Sequence, residues 1–416
     1  MNRREFMMLG AAGAALAGTK AVFAADGTEE PVIDRNVPPR NRRPYKGLDW
    51  SKVERVKTTS HGHCTSQKML DVYLKRGFGL LTMSNYYPSA PYCPASKMTK
   101  NYYIMHHDHP VTVKGKPTPG PFDWNRIVAG LKNELDPALA RRLPFKEGGK
   151  LFKPLPEGVL EAPNAEHHGF RLDNGKFAGN LHMCAPGSAY ASGTFDARNR
   201  YKTWSSGGYY YGSGEKWRTA VDRMIAGLIH PDGGGVTVNH PTWTKLNRAL
   251  LLDILDHDPR VLGIEVLEGG RNSEHYWDWV LATGRQCFGV FVPDWSIHKE
   301  IFGVNVLCVQ ERTVHACLKA YRKGDFYGAA HGLDELAFTG IGFDGKRVTA
   351  STDKPAVFEI VTALGVVKKT EGREVSWDVV KDGSGTGPRV DVFARVRATA
   401  ADGCGEVLYS QPFMLY

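Results

Sequence analysis

The chain has 416 residues, 42% hydrophobic and 23% charged, an ordinary globular balance with room for one large domain and a smaller one. Its formal net charge is +9; the first 24 residues, with Arg3, Arg4, Lys20 and Glu5, supply +2 of it and leave +7. The positive residues are not gathered into long runs, which argues against nucleic acid as a partner and is compatible with a small anionic substrate.

Residues 1–24 read as a targeting segment. Asn2-Arg3-Arg4-Glu5-Phe6-Met7 precedes an apolar, Gly/Ala-rich run from Met8 to Ala17, and Val22-Phe23-Ala24 supplies small residues before a cut. Paired arginines ahead of a weakly hydrophobic run resemble a twin-arginine export signal, so a periplasmic or secreted protein is expected. The apolar run is too short to span a bilayer, so no membrane anchor is expected after its removal. Residues 25–52 are rich in Pro and charge and read as a linker or surface arm. The seven cysteines, at 64, 93, 184, 287, 308, 317 and 404, contain no C-x-x-C and make a poor disulfide framework; Cys287, Cys308 and Cys317 sit in apolar runs as buried small hydrophobes.

From Val53 to about Leu333, segments of strand and helix character alternate. Strand character falls at Glu54 to Thr58, Phe78 to Ser84, Gly158 to Glu166, Gly179 to Cys184, Val236 to Asn239, Val261 to Leu267, Cys287 to Val292 and Val304 to Val309. Helical spacing falls at Ser66 to Arg76, Trp124 to Leu135, Trp217 to Ile229, Lys245 to Leu255, Glu274 to Thr283 and Thr313 to Lys323. That alternation predicts an α/β domain over 53–335 with a parallel sheet or barrel, whose chemistry belongs at the C-terminal strand ends. Two long stretches, 86–157 and 186–216, are rich in aromatic residues and read as lids. After about Leu336, short alternating strands split by Gly-rich turns predict a small all-β sandwich over 336–416.

The strand ends carry the candidate chemistry. His61-Gly62-His63 follows the first strand; side chains alternate along a strand, so both imidazoles face one way and form either a metal pair or two loop histidines. Glu166, His182, Asn239-His240-Pro241, Glu265 and Pro293-Asp294 follow at later strand ends. Imidazole with carboxylate suits zinc, iron or manganese. His106, His107 and His109 form a separate cluster in the first long stretch. Of His167 and His168, only His168 shares a face with Glu166 if that strand continues.

The ordered series His61-x-His63, Glu166, His182, His240-Pro241, Asp294 resembles the PHP (polymerase and histidinol phosphatase) superfamily of metallo-phosphoesterases. Lys323-Gly324-Asp325-Phe326-Tyr327 is similar to the turn that follows the last ligand there, and Gln411-Pro412 has a counterpart in the C-terminal module of exported members. The resemblance implies a distorted (βα)7 barrel, TIM-like in plan. His61, His63, Glu166 and Asp294 would bind one metal, and Glu166 would bridge to a second held by His182 and His240. Where the family has Thr-Asp-His and Asp-x-His for a third metal, this chain has Ser84-Asn85-Tyr86 and Asp294-Trp295-Ser296. Two ligands of one metal are absent together, so a binuclear centre of two divalent ions (Zn, Mn or Fe) is expected. His298 replaces the missing ligand only if its turn is bulged, and Tyr86 is a candidate substrate contact.

Two metals sharing a carboxylate hold and activate a water for attack on phosphorus or a carbonyl carbon. Asp294 and Glu166 are then the carboxylates at the reacting water. Arg198, Arg200, Lys202 and Arg271 are candidate cations for the developing charge, unless they are solvated surface groups. Asn239 and Glu265 are candidates to orient the ligating imidazoles, with a buried ion pair as the other reading for Glu265. The expected activity is a phosphoesterase acting on a small phosphate ester. The alternatives are ester, carbamate or amide hydrolysis at the same centre, or a barrel that binds a ligand or partner without turnover. The sequence leaves the oligomeric state open.

Overall fold

The computed structural model describes residues 31–64, 67–84, 153–188, 190, 215–300, 302–330, 335–379 and 392–416, with only the backbone of 112–113, 116–117, 202–203 and 209–210. The targeting segment, the expected helix Trp124 to Leu135, most of both long stretches, and Asn85, Tyr86, His106, His107, His109, Arg198 and Arg200 lie outside the described residues. No helix among the described residues is long and apolar enough to cross a membrane.

The expected parallel core forms around three strands, β6 (Val236–Val238), β7 (Val261–Glu268) and β9 (Phe288–Val292), numbered along the chain. All their residues are buried, and β7 pairs in parallel with both β6 and β9. Mostly apolar runs of this kind are what a strand covered on both faces requires, with Thr237, Glu265 and Glu268 as the polar exceptions. Helix α4 (Arg248–His257) connects β6 to β7 and α5 (Glu274–Ala282) connects β7 to β9, as parallel strands demand. Each buries one stripe: Leu251, Ile254 and Leu255 in α4, and Trp277, Val280 and Leu281 in α5. Asn247 caps α4 by accepting from the Leu250 N–H. Ahead of this unit, α2 (Trp217–Ala226) packs five buried side chains into the same core.

The rest of the sheet departs from the parallel expectation. β1 (Glu54–Thr58) pairs antiparallel with β10 (Gly303–Val309), and β10 antiparallel with β11 (Phe326–Ala330). On the other side, β4 (Glu166–His167) and β5 (Met183–Cys184) run antiparallel to each other, and β5 antiparallel to β6. Short parallel contacts join the halves. Lys57 bridges Phe78 beyond α1 (Gln67–Lys75), β2 (Leu80–Leu81) pairs with β3 (Leu160–Glu161), and Gly62 bridges Asp294. Between β9 and β10 a side chain substitutes for a ladder: Asn305 Oδ1 accepts the Phe291 N–H at 2.9 Å. The architecture is mixed α/β and strand-rich; these ladders do not confirm a regular (βα)7 barrel. An apolar run buried on both faces looks the same whichever way its neighbour points, so periodicity alone cannot assign direction.

The strands expected after Leu336 are present and antiparallel, but they hydrogen-bond into the β1–β10–β11 sheet instead of standing as a separate sandwich. β16 (Val407–Tyr409) pairs with β11 on one side and β15 (Phe393–Ala400) on the other. β15 pairs with β13 (Arg347–Thr362), which also carries β12 (Phe338–Phe343) and β14 (Gly365–Asp378). β13 is long enough to take the place of two of the short strands expected after Leu336, one on either side of 352–355. Its pairing with β14 breaks between Ser351 and Ala356, where Pro355 has no N–H to donate. Most of β14 escaped the sequence reading because it is an exposed edge strand rich in Lys, Arg and Glu, the composition that keeps edges from pairing further. Gln411, just before β17 (Phe413–Met414), is fully buried. Its amide takes the Gly289 N–H and donates to the Gly289 carbonyl, both at 2.8 Å, so it ties β9 to the chain end.

Candidate metal centre

β1 delivers His61 and His63 to a fully buried position just past its end. The residue between them is glycine for a packing reason: a Cβ on Gly62 would lie 2.5 Å from the Tyr73 hydroxyl oxygen. That approach lets Tyr73 donate to the His63 carbonyl at 3.3 Å. The backbone of Asp294 then clasps the pair. Its N–H bonds to the His61 carbonyl at 3.0 Å, and its carbonyl accepts from His63 N–H at 3.3 Å. Asp294 holds φ +49 to do this, and His240 holds φ +29. Left-handed backbone at non-glycine residues costs about 1–2 kcal/mol each and persists where the surroundings over-determine it.

Four donor atoms converge. His61 Nε2 and His63 Nε2 are 3.3 Å apart. Glu166 Oε2 lies 3.2 Å from each of them, and Asp294 Oδ1 lies 3.0 and 3.1 Å from them. Donors about 2.0–2.1 Å from a tetrahedral ion stand about 3.3 Å apart, so these spacings are the edges of such a cage. Glu166 Oε2 and Asp294 Oδ1 are also buried without a well-aligned hydrogen bond, which an anionic oxygen tolerates poorly unless a cation sits beside it.

The other oxygen of Glu166 faces a second set. Its Oε1 is 2.7 Å from His182 Nδ1 and 3.4 Å from His240 Nε2. His61, His63 and Glu166 form one group able to hold a divalent ion, and Glu166, His182 and His240 form another. A third combination, His61, His240 and Glu265, is also close enough. Glu265, however, spends its oxygens elsewhere: Oε1 is 2.8 Å from His61 Nδ1 and Oε2 accepts the His240 backbone N–H at 2.7 Å. A carboxylate bonded to the far nitrogen of an imidazole fixes its tautomer and leaves Nε2 for a metal. Asn239 Nδ2 lies 3.3 Å from His61 Nδ1 and 3.4 Å from Glu166 Oε1, between the two groups.

Burial by itself raises the Glu166 pKa, but His61 and His182 outweigh it and hold the carboxyl well below the usual range. Asp294 is held well below its ordinary value by His61 and His63 in the same way. Burial lowers His61 and His63, yet Asp294 and Glu166 prevail and both imidazoles end above their ordinary values; His240 is likewise raised by Glu166 and Glu265. In the metal-free protein these imidazoles therefore keep their protons to higher pH than free imidazoles do, in the position a cation would take. Loading a divalent ion at pH 7 is expected to release protons, and its affinity to rise with pH as the imidazoles lose them. Calorimetric titrations with zinc in buffers of different ionisation enthalpy measure this; a heat independent of buffer would mean that no proton is displaced.

The remaining residues singled out from sequence are placed as follows. His168 points its ring to 5.2 Å from that of His182, while His167 turns away and stacks on Tyr190, where burial pushes its pKa down to about 3. His298 is exposed and joins none of the donor groups among the described residues. Ser84 is engaged with the Gly62 backbone: its Oγ accepts the Gly62 N–H at 3.0 Å. Ser296 closes a turn onto the Pro293 carbonyl at 2.7 Å. Arg271 stands at the rim, ion-paired with Glu268 at 3.0 Å, and Lys202 lies in a short strand whose side chains are not described. Cys64, Cys184, Cys287, Cys308, Cys317 and Cys404 form no disulfide among the described residues.

Three neighbours of the centre were missed by sequence reasoning. Trp295 stacks on His63 with ring centres 4.1 Å apart. Trp243 packs against the rings of His240 and His182. Glu268, buried at the end of β7, has its carboxyl pushed up to about 7 by burial and by Asp294 and Glu265. Glu268 could have been found: it is three residues past Glu265 at the same strand end, but it lies beyond the apolar run that marked the strand.

No family model matches this chain, and no curated protein matches it. A crystal structure of a two-domain protein from Bacteroides vulgatus ATCC 8482, described as containing a predicted PHP-like metal-dependent phosphoesterase, is similar over 91% of this chain and 99% of that one, at 13% identity and a TM-score of 0.40. The likeness is distant.

Proposed function

We propose that this chain is a metal-dependent hydrolase of the phosphoesterase type, working at a centre of two divalent ions. One observation carries the reading: Glu166 directs one oxygen to His61 and His63, which Asp294 Oδ1 also faces, and the other to His182 and His240. That is the arrangement of a bridging carboxylate. His61, His63, Glu166 and Asp294 would hold one ion, and Glu166, His182 and His240 the other. Such a pair supplies Lewis acidity and an activated water.

The chain's own groups do the rest. Glu265 holds His61 and His240 in place through one oxygen each, and Asn239 holds Glu166. Arg271, its side chain half exposed at the rim, offers a cation to an anionic substrate. Arg198 and Arg200 remain further candidates for that role. Glu268, buried beneath Arg271, holds that guanidinium in place at 3.0 Å. The paired arginines and Ala/Gly-rich run at the N-terminus support an exported enzyme acting on small molecules outside the cytoplasm.

Protein purified without chelator is expected to contain close to two equivalents of zinc, manganese or iron and to hydrolyse phosphomonoesters or diesters in a metal-dependent way. Fewer than about one equivalent per chain would sink the binuclear centre. Turnover of aryl esters but of no phosphate ester would move the reaction to a carbon centre.

A further inference from the structure

The loop after β6 carries a feature that metal binding alone does not require. The four-residue helix α3 (Pro241–Thr244) begins immediately after His240, and left-handed residues stand at both ends: His240 at φ +29 and Lys245 at φ +50. Thr242 Oγ1 lies 2.7 Å from Ser273 Oγ, pinning the turn to the residues that follow β8 (Arg271–Asn272). The turn is therefore held, and what it presents is Trp243. The indole is 4.9 Å from the His240 ring and 5.9 Å from the His182 ring, centre to centre, yet 45% of its surface is exposed. No other tryptophan among the described residues is exposed to that degree; Trp217 and Trp277 are buried in the core.

A cation is stationed beside it. The Arg271 guanidinium lies 5.9 Å from the Trp243 ring centre and is held by Glu268, while its side chain stays 54% exposed. A half-exposed indole and a half-exposed guanidinium thus border the imidazoles of one half of the centre. A partly exposed indole at such a place gains most from a flat ring or a sugar face laid on it, a contact that proteins use for bases.

We propose that Trp243 and Arg271 form the leaving-group subsite, selecting phosphate esters whose alcohol portion presents a planar ring or sugar face over esters of small alkyl alcohols. The assignment rests on the phosphoesterase reading and names the substrate class for it. Trp243 supplies the stacking surface and Arg271 the charge that draws in the anion.

The test uses full-length, zinc-loaded protein and two inert probes, phenylphosphonate and methylphosphonate, with calorimetric affinities for wild type, Trp243→Ala, Trp243→Phe and Arg271→Gln. Wild type is expected to prefer phenylphosphonate by about tenfold. Trp243→Ala should bring that ratio close to one, Trp243→Phe should keep most of it, and Arg271→Gln should weaken both probes several-fold while keeping the ratio. Because the ratio is measured within one protein sample, a partly unfolded variant does not mimic the result. A wild-type ratio near one, an unchanged ratio in Trp243→Ala, or no binding of either probe overturns the subsite. Hydrolysis of phenyl phosphate by the same samples is read separately. Its absence overturns the phosphoesterase reading, while a ratio that depends on Trp243 still supports the subsite.

Discussion

Replacing Glu166 with glutamine is expected to leave no more than one divalent ion per chain and to lower phosphate-ester turnover by at least about a thousandfold, about 4 kcal/mol of barrier. Glutamine matches glutamate in shape but brings one carbonyl oxygen and an amide nitrogen that cannot ligate. Since Oε2 faces His61 and His63 and Oε1 faces His182 and His240, one substitution degrades both donor sets together. Glu265→Gln is the informative contrast. Glu265 touches His61 through the far ring nitrogen and His240 through the backbone, so its loss should weaken metal binding about 10–100-fold without changing the number of ions bound at saturation. Metal analysis after equilibrium dialysis separates the two. If Glu166→Gln still retains two ions, the carboxylate is not a bridge; if Glu265→Gln loses an ion outright, the third donor combination is the true one.

The largest expected effect on stability lies away from the centre, at Arg395 on β15. Its side chain is 1% exposed, lies against the Trp277 ring at 4.8 Å, and pairs with Asp278 at 2.9 and 3.0 Å and with Glu274 at 2.7 Å. Glu274 and Asp278 belong to α5, so this pairing joins the C-terminal strands to the βαβ core. Removing both carboxylates, as Glu274→Ala with Asp278→Ala, strands a buried guanidinium and is expected to cost about 3–5 kcal/mol. Arg395→Met is expected to cost only about 1–2 kcal/mol: it removes the buried charge and refills its volume, and the carboxylates left behind are partly exposed and regain water. Urea denaturation of the three proteins measures both. Equal losses would show that the ion pair itself, and not the penalty of an unpaired charge, accounts for the stability.

Much of the centre was legible in the sequence because its donors stand at strand ends, and strand ends can be located from apolar runs and the residues that stop them. His61, His63, Glu166, His182, His240 and Asp294 all meet in the structure. Asn239 and Glu265, which touch these side chains, were legible for the same reason, each one step along a strand from one of the six or pointing to the same end. Trp243 and Trp295 were not. Each follows a ligand closely in sequence, but a tryptophan after a strand is as ready to fill a core as to border a site, and only the neighbouring rings distinguish the cases. His298 shows the reverse: a histidine at a plausible spacing that the turn at Pro293–Ser296 carries out to solvent.

For the fold, the residues themselves determined where helices and buried strands fall, since hydrophobic period and capping residues act over a few neighbours. The central strands β6, β7 and β9 with α4 and α5 follow from that alone. Strand direction and partner are set by contacts between residues tens to hundreds apart, such as Thr58 with Asn305 and Gly328 with Tyr409. No local pattern records these, so the antiparallel seams and the merging of the C-terminal strands into the main sheet emerged only in three dimensions. The same division runs through the centre. Its donor types were written along the chain, whereas the two-faced placement of Glu166 and the exposed indole beside His240 arise where strands from distant parts of the sequence end together.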